Sequence, residues 1–183
     1  MAVAACVLAF VPGAALGGQV DTEDIPIGTL LGYVRDGYAT LALVTLETPA
    51  AVRRAYPVPG GAGKTCEPYD FVEYRAKVER VVRAGKALPA LKVGTALTIV
   101  PANTPALVDL SRRACLEGVS KSPIWPRFGK GVEPKDGARV LVVLGWQEGY
   151  GWLERVDGAW LAAADRRHIE RFLVPTPGTE KLD

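Results

Sequence analysis

The sequence predicts a mainly β protein with peripheral helices, built as a small OB-like barrel or a strongly bent antiparallel sheet. Three observations carry that expectation. Residues 72–82 alternate, with Val72, Tyr74, Ala76, Val78 and Val82 on one side and Glu73, Arg75, Lys77, Glu79 and Arg83 on the other, as in a half-buried strand. Arg80 and Val81 interrupt the alternation, which places a bulge near 79–81. Residues 95–100 are a short β-branched run between Gly94 and Pro101 and read as the partner strand, and residues 139–146 form a near-continuous apolar run, the mark of a strand covered on both faces. A helix over the same stretch, with Phe71, Tyr74, Val78, Val81 and Val82 on one stripe and Gly85 as its cap, is the weaker alternative because Val and Tyr suit a pleated surface.

In chain order, residues 1–18 carry no charged side chain, and the apolar run 2–11 has the length of a signal-peptide core. Ala15 and Gly17 supply small residues before a cut after Gly17. The run ends at Pro12-Gly13, short of the roughly 20 residues needed to span a bilayer. Export is therefore expected, and the competing reading is a buried first strand. Val3-Ala4-Ala5-Cys6 resembles a lipoprotein-processing box, but its apolar run follows the cysteine instead of preceding it. Residues 19–28 read as a polar linker, 29–175 as one β domain and 176–183 as a flexible tail.

Within the domain, 29–34 reads as a strand, Asp36-Gly37 as a turn and 38–47 as a second strand, together an opening hairpin. Thr48-Pro49 offers an N-cap and first helical position, predicting a short helix over 49–55 that Pro57 and Pro59 end. Asn103-Thr104-Pro105 opens a helix over 105–117 with Gly118 as its stop; Leu107, Leu110, Ala114 and Cys115 are its candidate core residues. Residues 120–137 read as a long loop anchored by Trp125. After the apolar strand, 152–156 and 159–162 read as a hairpin around Asp157-Gly158, and 165–173 as a terminal helix.

With 183 residues, 49% of them hydrophobic and 23% charged, the chain is long enough for one ordinary domain to bury its own core. The 22 basic residues nearly cancel the 20 acidic ones, so charge gives no case for nucleic acid or an anionic membrane.

Motifs of known chemistry are sparse. Gly63-Lys64-Thr65 imitates the end of a phosphate-binding loop, but Val58 stands where the first glycine belongs and Pro68 blocks the helix that should follow; a surface loop is the better reading. The single histidine, His168, lies between Arg167 and Ile169 and reads as a solvated helix residue. A Ser-His-Asp site would need it with Ser111, Ser120 or Ser122, none of which sits in a Gly-x-Ser-x-Gly elbow. No Cys or His cluster has metal-ligand spacing, and no cofactor motif is present. Glu148 with Glu154 is the carboxylate pair available for acid and base work. Arg112, Arg113, Arg166, Arg167 and Arg171 could meet as an anion site, although a mixed-charge helix surface is the better reading.

Aromatics are enriched near the end, at Trp146, Tyr150, Trp152 and Trp160. Trp160 reads as core. Trp146 and Trp152 flank the glycine-hinged segment 147–151, Tyr150 lies within it, and all three are the candidate binding residues, because Trp and Tyr combine apolar area with a polar tip.

Over 69–144 the chain resembles the netrin-like, TIMP-like OB-fold modules of secreted proteins. The residues that carry this are Tyr74, Ala76, Val78, Val81 and Gly85 as a long strand closing on glycine, Gly94 before the next strand, and Gly137 before 140–144. The resemblance implies a secreted OB barrel. The Cys-x-Cys start with which TIMP-like inhibitors engage a metalloprotease has no counterpart here, so inhibition is not implied.

The functional expectation is an exported, non-catalytic binding or protein-interaction module acting on a protein or envelope component, without cofactor, nucleic acid or a membrane span in the mature chain. A small hydrolase using carboxylates near the last hairpin and an exported structural protein are the alternatives. Cleavage after Gly17 would leave only Cys66 and Cys115, which predicts a disulfide between them in an oxidising compartment.

Overall fold

The computed structural model describes residues 22–61, 63–118 and 125–174. The expected signal peptide, its cut, the Cys6 box, Ser120, Ser122 and the 176–183 tail lie outside the described residues. Two long strands dominate the fold: β2 (Thr40–Tyr56) and β3 (Tyr69–Arg83) pair antiparallel. The sheet continues through β4 (Ala96–Ile99) on one side, and through β6 (Arg139–Gln147) and β7 (Gly151–Glu154) on the other, in the order β4-β3-β2-β6-β7. Its edges meet where Val100 and Leu153 form a parallel bridge, with Val100 N–H donating to Trp152 O (3.0 Å) and Glu154 N–H to Val100 O (2.9 Å). A three-strand meander, a helix α2 (Thr104–Glu117) and a returning strand pair thus curl into a mainly β, antiparallel half-barrel.

β2 and β6 are covered on both faces, as the apolar run 139–146 predicts. Ala42, Val44, Leu46, Val140, Val142 and Leu144 point into the barrel beside Ala76, Val78, Leu97, Ile99 and Trp160. Leu41, Leu43, Leu141 and Val143 point outward beneath two helices, α1 (Ile27–Arg35) and α3 (Arg166–Leu173). The bulge expected in β3 is present as two register shifts, at which Glu79 and Val82 are skipped between successive partners of β2.

Four expectations are corrected. Residues 29–34 belong to helix α1, because Leu30, Leu31 and Val34 recur at helical spacing and all three are buried against the outer face of β2 and β6. No opening hairpin exists. The chain over 49–55 is strand: β2 runs on past a cis Thr48–Pro49 bond and a bulge, with Leu46 opposite Ala76 and Ala51 opposite Tyr74. Pro49 sits in that bulge, where its missing N–H costs no ladder bond, and Asp136 Oδ1 accepts from Ala50 N–H (2.8 Å). The last two strands do not form a hairpin with each other, since β7 pairs with β6 over residues 144–147 and β8 (Trp160–Ala162) with β6 over residues 140–142. Gly158 bends the intervening chain at φ 77°, and its carbonyl lies where a Cβ on Gly131 would stand, so a side chain fits at neither position. Finally, α2 buries Thr104 and Val108, while Leu107, Leu110 and Ala114 are half-buried.

Part of the segment read as linker is ordered. β1 (Thr22–Asp24) pairs in parallel with β5 (Trp125–Arg127), so residues 125–127 of the expected loop are strand.

The expected disulfide joins Cys66, in the β2–β3 connection, to Cys115 on α2, with Cα atoms 5.8 Å apart. Around it pack Val58, Val108, Tyr56, Tyr69, Leu116 and Tyr150, a cluster separate from both barrel layers. Opening the bond releases a loop across a separation of 49 residues, so reduction lowers the unfolding free energy by about 4 kcal/mol, read as a fall in the denaturant midpoint. An unchanged midpoint under reductant would contradict this.

Candidate functional site

One end of the barrel carries the residues singled out for binding. The β6–β7 turn is closed by Tyr150 N–H donating to Gln147 O (3.2 Å), and the pair Trp146 opposite Trp152 stands just before it. Their rings meet edge to face at 5.4 Å and 76°. Trp152 packs on the barrel interior, which leaves Trp146 44% exposed. Packing half-buried Trp152 against the core thus positions Trp146 beside it.

Tyr150 does not join that pair. It stacks on Tyr56 at 4.7 Å and 16°, and the Tyr56 hydroxyl donates to Gly149 O (3.1 Å). The three candidate residues therefore divide: Trp146 presents apolar surface, Trp152 supports it, and Tyr150 fastens the turn to the disulfide cluster. Tyr56 is the residue that sequence reasoning missed, and it ends β2 just as the connection 57–68 begins. That connection and the β6–β7 turn are thereby neighbours. Within it, Gly61 and Lys64 close a small bridge and Lys64 Nζ donates to Leu116 O (3.4 Å), which turns the phosphate-loop lysine onto the end of α2.

The carboxylate pair is not assembled as expected. Glu148 is exposed in the turn, whereas Glu154 stands opposite Leu144 and is buried. The acid beside Glu154 is Asp157, and both line a cleft of about 270 Å³ with Tyr74, Glu133, Arg127 and Trp160. Burial pushes the Glu154 carboxyl up to about 8, against smaller lowering effects from its hydrogen-bond donors. Burial also raises Asp157, which Arg127 partly offsets, and raises Tyr74, with Glu154, Asp157 and Glu133 adding to the effect. Both Glu154 oxygens are engaged, Oε1 by Trp160 Nε1–H (2.6 Å) and Oε2 by Gly158 N–H (2.8 Å). This carboxyl holds the irregular link between β7 and β8 in shape.

Among the remaining candidates, His168 is exposed on α3 and Ser111 is half-buried on α2. Arg112 and Arg113 both pair with Asp109 on α2. Arg166 and Arg167 instead share a concavity with Arg139, so the five arginines do not form one anion site. Among the described residues, no group of His, Cys, Asp and Glu could hold a metal ion, and no helix is long and apolar enough to cross a membrane.

No protein-family model matches the chain, and neither a curated protein nor a solved structure does.

The raised Glu154 value carries a pH consequence. In the folded protein the carboxyl keeps its proton up to about 8, whereas in the unfolded chain it ionises above 4.5. The stability this contributes is complete below about pH 4.5 and is lost as the pH rises toward about 8, at no more than about 1.4 kcal/mol per pH unit. Asp157 is shifted with the same sign. Denaturation between about pH 5 and about pH 8 should show that decline, and Glu154→Gln should flatten it. Parallel profiles for the two proteins would refute the assignment.

Proposed function

We propose that this chain is an exported, non-catalytic binding module that engages a protein or envelope component through the aromatic end of its barrel. The observation that carries the reading is Trp146, a large ring 44% exposed and in edge-to-face contact with half-buried Trp152, at the turn between the last two barrel strands. OB-like barrels commonly bind through the loop between their first two strands and the loop between their last two. Here those loops are 57–68 and the β6–β7 turn, and Tyr56 and Tyr150 bring them together. This use of the fold is an analogy, as is the netrin-like resemblance. Export is supported by the Cys66–Cys115 bond and by the uncharged apolar run at the start of the sequence.

An acid–base hydrolase is favoured by one observation, the buried Glu154 carboxyl beside a cleft, which burial raises to about 8. Both oxygens of that carboxyl are already held by Gly158 and Trp160, and the residue is only 4% exposed, so proton transfer to a substrate would first have to dismantle the β7–β8 link. Binding is the reading the geometry supports better.

Immobilised protein offered its native envelope fraction should retain a partner, and Trp146→Ala should reduce that retention by about tenfold or more, because a buried aromatic anchor is worth about 2 kcal/mol. The melting midpoint should barely move. Val93→Ala, which trims an apolar residue 67% exposed elsewhere, serves as the control. Tyr150→Ala should instead lower the midpoint by removing the stack on Tyr56. Equal retention by wild type and Trp146→Ala would dismiss the binding face.

A further inference from the structure

We propose that the concavity between the start of β6 and the start of α3 is a binding site for a phosphate-type oxyanion. It measures about 210 Å³ and is lined by Leu43, Ala163, Ala164 and three arginines, Arg139, Arg166 and Arg167. Local geometry explains why they meet. Ala162, the last residue of β8, pairs with Val140, so the chain leaves the sheet beside Arg139. The single 3-10 turn Ala163–Asp165 then leads directly into α3, whose first two residues are Arg166 and Arg167.

Nearby carboxylates do not use up this positive charge. Arg139 gives its Nε to Glu79 at 2.6 Å, which orients the guanidinium and leaves its terminal amino groups for another acceptor. Glu170 is shared at longer range between Arg80 (3.5 Å) and Arg166 (3.8 Å). Asp165 is exposed on the surface, and Arg167 forms no ion pair within 4.0 Å among the described residues. The planar guanidinium fork matches the oxygens of a phosphate, and several forks converging on one hollow favour a multiply charged oxyanion over chloride. Ala163 and Ala164 keep the hollow open with short side chains. Its volume is below the range of drug-sized ligands, so it suits one phosphate group and bridging waters. The site is independent of the Trp146 face.

Calorimetric titration of the full chain with inorganic phosphate, at constant ionic strength set with chloride, should give saturable binding. Arg167→Ala and Arg166→Lys should each weaken it by about tenfold, the second because it keeps the charge and loses the fork. Arg53→Ala, opposite Val72 toward the far end of the β2–β3 pair, and Trp146→Ala should leave it unchanged. A second arm uses vesicles with and without phosphatidic acid. Retention on the phosphatidic acid vesicles that is lost in Arg167→Ala would identify a lipid headgroup as the source of the phosphate. Phosphate binding without vesicle retention would identify a soluble phosphate or phosphate ester. The proposal is overturned if neither probe binds, or if binding ignores both Arg167→Ala and Arg166→Lys.

Discussion

The antiparallel pairing of β2 with β6, Thr40 to Thr45 against Leu144 to Arg139, is the contact on which the rest of the structure depends. Each of these strands has apolar side chains on both faces, so neither can face water on either side. One face obliges the sheet to curl, because the interior residues find cover only when β3, β4 and β7 close around them. The other face obliges the chain to supply helices, and α1 and α3 come from opposite ends of the domain to do so. A polar substitution at Leu41 or Leu141 would leave an unpaired group between two packed layers, far from any water that could satisfy it.

That double burial also explains which elements were legible in the sequence. β3, β4 and β6 follow from local alternation or from an unbroken apolar run, and α2 follows from its start and stop residues, Asn103 to Pro105 and Gly118. Three of the four corrections have one cause. In Thr29 to Val34 the same apolar residues satisfy a strand of period two and a helix of period 3.6, and only the uncovered outer face of β2 and β6 decides for the helix. At Pro49 a helix-start signature was present, but β3 continues opposite the segment and recruits it into the ladder. Asp157-Gly158 carries good hairpin chemistry, yet β6 is long enough to pair with both flanking strands and leaves them no need to pair with each other.

The binding end was legible only in part, for a related reason. The cluster of Trp146, Tyr150 and Trp152 and its glycines is plain in the sequence, and so is its place in a turn. Alternation alone does not say that Trp146 and Trp152 fall on the same rung while Tyr150, in the turn between them, swings onto Tyr56. That division depends on β2 running past the barrel as far as Tyr56, the extension hidden behind the helix-like Thr48-Pro49. The Cys66–Cys115 pair, by contrast, needed only a count of cysteines and a compartment.

Irregular backbone and a buried carboxyl meet at the link between β7 and β8. A sheet edge that must bend leaves N–H groups without ladder partners, and a buried donor left unsatisfied costs about as much as a lost core contact. Glu154 answers that need with one carboxyl, taking Gly158 N–H on one oxygen and the Trp160 indole on the other. Trp160 is the largest fully buried side chain of the barrel, so the same hydrogen bond that satisfies the bend also orients the core. The two donors favour the carboxylate and the low-dielectric site favours the protonated form; burial is the larger effect, and the carboxyl is pushed up to about 8. The raised carboxyl is thus a consequence of how the barrel turns its edge, and β8 carried past that bend is what delivers Ala163 and the arginines of α3 to the start of β6.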